Sequence, residues 1–276
     1  MTTFAVTGAN GFVGSRIAKH LAQHGEVREL TRQSEPRVAL GEPVPKDALA
    51  GVDVLVHCAY DFRPKSWRDI KRANVSGTLA LFDAARQAGV RRVIFISSMS
   101  AFEGCRSKYG RAKLSIERKA RDHHPETVIV RPGLVYDRQA GGIVGAMQGF
   151  IGRLPVVPLI GGGQEFYTCH SEDLAQAVLE LSDGALPGRP VIAAEAQPHT
   201  YREILSTIAE AGGRRPRFLP VPYALAYNGL RLLEALRVPM DFRSDSLVGL
   251  MNADPAPQFS PLKTTFRPFS AQAIRG

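Results

Sequence analysis

Tyr109 and Lys113 are residues whose types and spacing could carry out proton transfer. They lie four positions apart in the segment SKYGRAK (107–113), so on a helix they share one face, one turn apart. A tyrosine hydroxyl, with a pKa of about 10, is a weak acid or base at neutral pH, and a fixed ammonium beside it would lower that pKa. The same spacing also suits two polar residues on a solvated helix surface, so the pair alone leaves both interpretations open.

A glycine-rich loop near the amino terminus could bind a diphosphate. The segment TGANGFVGS (7–15) follows an expected strand and opens an amphipathic helix. Gly8 permits a tight turn, Gly11 allows close approach of the backbone to a ligand, and Gly14 lets the helix pack on the strand. The N–H groups at the start of the helix then face the phosphates. This context predicts a dinucleotide site.

The elements that must position these residues alternate between strands and helices. After Pro132, glycine and proline become frequent and this alternation stops. The expected strands are 2–7, 27–32, 37–40, 52–59, 91–98, 127–133 and 189–195, and the expected helices are 14–25, 74–89, 107–122 and 171–182. The pattern predicts an α/β fold, a Rossmann-like doubly wound parallel sheet with a smaller C-terminal substrate lobe. Residues 1–137 and 167–196 are assigned to the sheet domain, and 138–166 and 197–276 to the smaller lobe.

Composition narrows the classes of partner. The net charge is +9, but the arginines are scattered and the only tight cluster is GGRRPR (212–217), so no nucleic-acid partner is expected. No signal peptide and no apolar run of about eighteen residues is found, so no membrane partner is expected. The three cysteines lack CxxC spacing and suit a reducing compartment, which predicts a cytoplasmic protein. No set of His, Cys, Asp or Glu has metal-ligand spacing, so no metal is expected.

As a set, the motifs resemble the extended branch of the short-chain dehydrogenase/reductase superfamily, the NAD(P)-dependent epimerase/dehydratase family. They occur in the family's order over about residues 1–180, and the chain after residue 196 carries no comparable motif. The matching segments are TGANGFVG (7–14), GVDVLVHCA (51–59), NVSGTLALFDAARQAGVRRVIFISS (74–98), YGRAK (109–113), VIVRPGLVYD (128–137) and HSEDLAQAV (170–178).

The resemblance implies the roles of the catalytic residues. Tyr109 would be the general acid/base, and Lys113 would lower its pKa and bind the nicotinamide ribose. A serine would polarise the substrate oxygen. Ser98, at the end of a strand, is the expected residue. The segment SSMSAFEG is one residue longer than the family pattern, which leaves Ser97 and Ser100 as alternatives.

The resemblance also implies which residues bind the cofactor. NAD-preferring relatives carry an acidic residue after the second strand, where this chain has Thr31 and Arg32. Arg32 could pair bidentately with a 2′-phosphate, so NADP is favoured and NAD stays open. The expected cofactor-binding residues are Gly8, Asn10, Gly11, Phe12, Val13, Gly14, Arg32, Cys58, Ala59, Tyr109, Lys113 and Pro132. Asn74 matches a helix asparagine of the family and is expected among the catalytic residues, with an exposed helix N-cap as the structural alternative.

Two histidines are expected to be structural. His57 lies in an apolar strand, where a hydrogen-bonded histidine near the cofactor is the simpler interpretation. His170 and Asp173 match a family segment and are expected to anchor helix 171–182, with Ser171 as its N-cap, to the second lobe.

The substrate is expected to be a small-molecule alcohol, ketone or sugar. Many similar enzymes act on nucleotide-diphosphate sugars and hold the diphosphate with an arginine, at a position where this chain has Phe166. Arg153, Arg231 or Arg243 could substitute. Three hypotheses follow: an epimerase or dehydratase that recycles its cofactor, an NADPH-dependent reductase of a carbonyl or aldehyde, and a non-catalytic dinucleotide-binding sensor or assembly subunit. Two exposed helices of the main domain leave a homodimer open.

Overall fold

The computed structural model describes residues 1–236, 238 and 242–275. In chain order the strands are β1 (Thr3–Thr7), β2 (Glu26–Leu30), β3 (Val54–His57), β4 (Arg92–Ile96), β5 (Thr127–Pro132), β6 (Leu134–Tyr136), β7 (Val156–Leu159), β8 (Glu165–Phe166), β9 (Thr168–His170), β10 (Val191–Ala193), β11 (His199–Thr200) and β12 (Arg217–Pro220). Six of them form a parallel sheet in the order β10-β5-β4-β3-β1-β2.

The helices cover this sheet and build the rest of the molecule. They are α1 (Phe12–Leu21), α2 (Trp67–Ile70), α3 (Gly77–Gln87), α4 (Lys108–Glu117), α5 (Ala120–His123), α6 (Gly142–Arg153), α7 (Ser171–Leu181), α8 (Tyr201–Ala211), α9 (Tyr223–Ala235), α10 (Ser244–Met251) and α11 (Ala271–Arg275). A π-helical turn, Lys71–Ser76, joins α2 to α3, and a 3-10 turn spans Lys46–Leu49. Within the described residues, no helix combines the length and apolar character needed to cross a bilayer.

Apart from the edge strand β2, the strands of the central sheet are buried on both faces, which explains why they are mainly apolar. Every residue of β4 is buried, as expected for a parallel strand covered on both sides. One face packs against α1 and α7, and the other packs against α3 and α4. The predicted doubly wound parallel sheet is confirmed.

Two local predictions are wrong. Residues 37–40 form a loop instead of a strand, because the Val38 N–H donates to Thr31 O at 2.8 Å, so the chain folds back on itself and joins no sheet. Helix α7 is capped by His170 instead of Ser171, because His170 Nδ1 accepts the Glu172 N–H at 3.2 Å.

A third hydrophobic core lies beyond the carboxyl ends of the sheet strands. It contains buried residues of α6, β7, α8 and α10, together with Tyr136 and Phe269. Two-stranded pairings β6–β9, β7–β12 and β8–β11 support it. A cleft separates this third core from the carboxyl ends of the sheet strands.

The chain then returns to the sheet domain. Arg267 binds the Asp173 carboxylate through Nη2 at 2.7 Å, and Glu180 accepts the N–H groups of Lys263 and Thr264 at 2.8 and 2.9 Å. Asp173 therefore anchors α7 to the C-terminal segment, as predicted. The sequence does not indicate that residues 263–267 lie against α7.

Candidate active site

A continuous cleft of 2690 Å³ opens at the carboxyl ends of the central strands. Ligands of open α/β sheets bind at this edge. The residues expected to bind the cofactor all line the cleft, and so do Ser98, Tyr109 and Lys113. Asn74 does not.

The glycine loop between β1 and α1 is shaped for a phosphate group. Gly8 has a φ of +70°, and a Cβ added there would lie 2.9 Å from the backbone of Ala59. A Cβ at Gly14 would lie 2.3 Å from the Gly8 carbonyl oxygen, so only glycine lets α1 start this close to β1. Gly11 is the N-cap of α1 and supplies no capping side chain, which leaves the first N–H groups free for an anion.

This cradle fits a dinucleotide diphosphate. Such a nicotinamide cofactor, when bound, gives or accepts a hydride. The residues of the loop would hold its diphosphate, and Tyr109 and Lys113 line the same cleft.

Gly110 brings the start of α4 against the turn that follows β4. A Cβ at this position would lie 2.2 Å from the Ser100 carbonyl oxygen, so a larger residue would push the helix away. Tyr109 is the adjacent residue, and its hydroxyl interacts with the Ser98 side chain. The close approach of α4 to this turn therefore places the Tyr109 hydroxyl beside the Ser98 hydroxyl.

Tyr109 lies among aromatic rings. Its ring centroid is 4.9 Å from that of Tyr60 and 5.9 Å from that of Phe62. Burial raises the Tyr109 pKa to about 12, although hydrogen bonding with Ser98 acts in the opposite direction. The expected lowering of this pKa by Lys113 is therefore wrong for the protein alone. The ammonium lies 5.9 Å from the ring centroid and is bonded elsewhere.

Lys113 is buried beneath the cleft. Its Nζ donates to the Ile96 carbonyl oxygen at 2.7 Å and lies 4.7 Å from the centre of the Phe95 ring. Burial lowers the Lys113 pKa to about 8, and Glu117 opposes this shift. The ammonium is therefore mostly protonated at neutral pH, but close to titration.

Glu117 distinguishes two of the candidate serines. It lies one turn after Lys113 on α4, and its carboxylate accepts from Ser97 Oγ at 2.5 Å. Arg131 binds the same carboxylate through Nε and Nη2, at 3.0 and 2.5 Å. Ser97 is thus engaged in a buried network with Glu117, whereas the Ser98 side chain interacts with the Tyr109 hydroxyl. The i,i+4 spacing from Lys113 is a sequence signal that could have identified Glu117.

Asn74 positions a loop instead of lining the cleft. Its side-chain oxygen accepts the Asp61 N–H at 2.7 Å, and its Nδ2 donates to Asp61 O at 2.9 Å. Asn74 is fully buried in the π-helical turn, so the alternative of an exposed N-cap is wrong. The oxygen and the nitrogen of the Asn74 side-chain amide thus both fix the segment that places Tyr60 and Phe62 against Tyr109.

His57 is a satisfied core histidine, as predicted. Its ring nitrogens contact Thr7 Oγ1 at 2.6 Å and Thr78 Oγ1 at 2.9 Å. Burial, with a further contribution from Lys113, lowers the pKa of His57 to about 3, so the ring is neutral. It supports the end of β3 next to Cys58.

The loop after β2 leaves Arg32 exposed at the cleft edge. Thr31 Oγ1 accepts the Gln33 N–H at 3.0 Å, which turns the chain and directs Arg32 outward. Within the described residues, Arg32 makes no hydrogen bond or ion pair. The nearby Arg37, by contrast, pairs with Glu42.

The other end of the cleft is largely apolar. It is lined by Ile143, Met147, Phe150, Phe166, Leu230 and Phe242. Phe166 packs against Tyr201, with ring centroids 6.0 Å apart. The three alternative arginines, Arg153, Arg231 and Arg243, also reach the cleft wall, and Arg153 and Arg231 are solvent-exposed.

Two residues that hold α4 in place could not be identified from the sequence. Asp245 lies in the first turn of α10, and Asn252 is the C-cap of that helix. The Asp245 carboxylate accepts the N–H of Lys108 at 2.8 Å and of Tyr109 at 3.2 Å. Asn252 accepts the Arg106 N–H at 2.8 Å. No motif could have indicated these contacts, because Asp245 is more than a hundred positions from its partners and lies in the stretch without recognisable motifs.

Comparisons with known proteins agree with this geometry. A profile described as the NAD dependent epimerase/dehydratase family matches residues 4–190. The ceramide reductase of Caulobacter vibrioides is 30% identical over 233 residues, covering 79% of this chain and 73% of that protein. The 4-hydroxy-2-methyl-3-oxo-4-farnesyl-3,4-dihydroquinoline-1-oxide ketoreductase of Stigmatella aurantiaca is 25% identical over 270 residues, covering 86% and 80%. The crystal structure of gox2253 is similar with a TM-score of 0.70 and 22% identity, covering 99% and 96%.

The structural likeness shows the fold, and the profile shows the family because it matches more than half of the chain. The matched region contains the glycine loop, Ser98, Tyr109 and Lys113. The chain therefore belongs to the NAD-dependent epimerase/dehydratase family, within the extended short-chain dehydrogenases/reductases.

Proposed function

We propose that the protein is an NADPH-dependent reductase of a ketone or aldehyde group on a large, mostly apolar substrate. The observation that carries this proposal is the apolar substrate end of a 2690 Å³ cleft, with Phe166 in place of an arginine that would bind a diphosphate. A typical single-ligand site has about 300–1,000 Å³. The remaining volume suits a second ligand of considerable size.

Tyr109 can supply the proton that reduction of a carbonyl group requires. Burial raises the pKa of its hydroxyl to about 12, so the hydroxyl carries its proton at neutral pH. A bound nicotinamide cofactor would supply the hydride. Tyr109 gives its proton to the substrate oxygen, Ser98 hydrogen-bonds to the same oxygen, and the Lys113 ammonium stabilises the negative charge left on the tyrosine.

Arg32 supports the preference for NADPH. It is exposed at the cleft edge after β2, where a 2′-phosphate would be bound, and an arginine fork can hold a phosphate bidentately. Two relatives point to the same substrate chemistry, because one is named a ceramide reductase and the other a ketoreductase of a farnesylated quinoline oxide. Both names describe molecules with long hydrocarbon chains.

The first experiment identifies the cofactor. The purified protein is denatured and released nucleotides are analysed by mass spectrometry, alongside titrations of the native protein with NADPH and NADH. We expect a site that binds NADPH reversibly. Retained NAD(H) would contradict the proposal, because a tightly held and recycled cofactor is typical of epimerases and dehydratases.

A second experiment tests the substrate class. NADPH oxidation is followed with a series of aliphatic ketones of increasing chain length, and epimerisation of UDP-glucose is measured in parallel. We expect kcat/KM to rise with chain length. Phe166→Arg should reduce this rise, and Phe166→Leu should preserve it because leucine keeps the wall apolar. Turnover of UDP-glucose without NADPH oxidation would overturn the reductase assignment.

A further inference from the structure

Helix α9 carries apolar residues both on the side that is exposed to solvent and on the side that faces the protein. None of its residues is buried, although leucine, alanine and tyrosine dominate its sequence. Leu225 and Leu232 are 66% and 61% exposed, and the C-cap residue Leu236 is 66% exposed. Large apolar side chains exposed together in this way usually mark an interaction surface.

The exposed leucines form a single stripe. Leu225, Leu232 and Leu236 follow the spacing i, i+7 and i+11, which places them on one side of a helix. The opposite side carries Ala226 and Leu230, which line the cleft and pack against the third core. Helix α9 therefore separates the cleft from solvent. Its inner side lines the cleft, and its outer side carries the leucine stripe.

The chain that leads into α9 is basic. Of residues 212–236, Arg215 and Arg217 are exposed and make no hydrogen bond or ion pair within the described residues, whereas Arg214 is bonded to the end of α6 and Arg231 lines the cleft. The only carboxylate in this stretch, Glu234, accepts from Ser244 N at 2.7 Å and Ser244 Oγ at 2.9 Å, so it is turned toward α10. The exposed leucines therefore follow closely in the chain on two exposed arginines, Arg215 and Arg217, that have no carboxylate partner among the described residues.

We propose that α9 docks on the surface of a bilayer containing anionic phospholipids, with the leucine stripe in the acyl boundary and the arginines at the lipid phosphates. An interfacial surface with apolar and basic parts binds in this way without spanning the membrane. The expectation of no membrane partner rests on the lack of a spanning segment, so this proposal revises it for docking at the bilayer surface. A second copy of the chain is a poorer partner, because a two-fold interface through this face would bring two sets of arginines together. The proposal extends the proposed function, since docking would bring the cleft to the layer that holds apolar substrates.

The test is vesicle flotation with the full chain. Vesicles of phosphatidylcholine alone are compared with vesicles that also contain phosphatidylglycerol. We expect binding to the anionic vesicles that weakens as salt is added. The variant Leu225→Ser/Leu232→Ser/Leu236→Ser should bind at least about tenfold more weakly. The matched control, Ala224→Ser/Asn228→Ser/Ala235→Ser, changes the same helix beside the stripe and should keep binding.

A second variant tests the charge. Arg215→Glu/Arg217→Glu should lose the preference for anionic vesicles while keeping its circular dichroism spectrum. Failure of the wild-type protein to float, or equal binding by the triple-serine variant, would overturn the proposal. A wild-type dimer that the triple-serine variant dissociates would assign the stripe to self-association instead. Tyr109→Phe should float like the wild type, so loss of turnover and loss of docking are distinguishable.

Discussion

The two ends of the cleft are built differently. At the nucleotide end, backbone groups approach one another so closely that a Cβ at Gly14 would lie 2.3 Å from Gly8 O. The polar side chain of His57, which lines this end, has both ring nitrogens in contact with threonine hydroxyls. At the substrate end, apolar side chains remain partly open to solvent, as with Phe150 at 45% exposure. A rigid polar site suits one invariant ligand, whereas an apolar wall accepts ligands by size and hydrophobicity.

This contrast explains why the cofactor end can be read from short motifs and the substrate end cannot. Close backbone contacts allow only glycine at particular positions, so the residue types themselves report the geometry. An apolar wall can be made from many combinations of Ile, Leu, Met and Phe.

Replacing the Tyr109 hydroxyl should have the largest effect. Tyr109→Phe removes the proton donor but keeps the ring against Tyr60 and Phe62, so kcat should fall by about 10²–10⁴-fold with little change in the Kd of NADPH. Stopped-flow turnover and fluorescence titration measure the two quantities. Tyr60→Phe is the matched control in the same aromatic cluster and should keep most activity. An unchanged kcat in Tyr109→Phe would show that the proton comes from elsewhere.

A methyl group in the glycine cradle should damage only the nucleotide end. Gly14→Ala places a Cβ against Gly8 O, so we expect a loss of about 1–3 kcal/mol in the free energy of unfolding and weaker dinucleotide binding. Urea unfolding and NADPH titration test this. Gly149→Ala in α6 is the control, because a Cβ there meets nothing within 4 Å. It should be neutral or slightly stabilising.

Arg32 tests cofactor choice within the nucleotide end. Arg32→Glu should weaken NADPH binding by about 10–100-fold and change NADH binding much less, because only NADPH carries the 2′-phosphate. Isothermal titration gives both Kd values. Arg37→Glu is the control, since Arg37 is already paired with Glu42. Equal losses for both cofactors would rule out a 2′-phosphate contact.

Deprotonation of Lys113 should make kcat/KM fall in alkaline solution. The ammonium is present below its pKa of about 8 and is lost as the pH rises through that value. We therefore expect kcat/KM to decline above about pH 8, measured with the substrate held below its KM. Lys108→Met, on the exposed first turn of the same helix, should keep this profile. A kcat/KM that does not change up to pH 10 would show that catalysis does not need the charge of Lys113.

Removing the hydrogen bonds between Asp245 of α10 and the start of α4 should have the smallest effect. Asp245→Ala removes the carboxylate that accepts two N–H groups at the start of α4, and N-terminal caps contribute about 1 kcal/mol. Thermal unfolding should show this loss, together with a modest fall in kcat because Tyr109 is less well held. Asp254→Ala, also in the C-terminal part, should leave kcat unchanged. A destabilised Asp245→Ala with normal kcat would mean that α4 is positioned by the sheet domain alone.

The sequence by itself determined the parallel sheet, the glycine loop and the helical pair Tyr109 and Lys113. These depend on local periodicity, on steric limits at glycine and on spacing within one element. The tertiary structure decided which serine faces Tyr109, that Asn74 holds the Asp61 loop, and that Asp245 caps α4. It also decided the sign of the Tyr109 pKa shift, because burial among aromatic rings outweighs a lysine that is bonded to Ile96. Such properties arise between segments far apart in the chain, where no local pattern records which groups will meet.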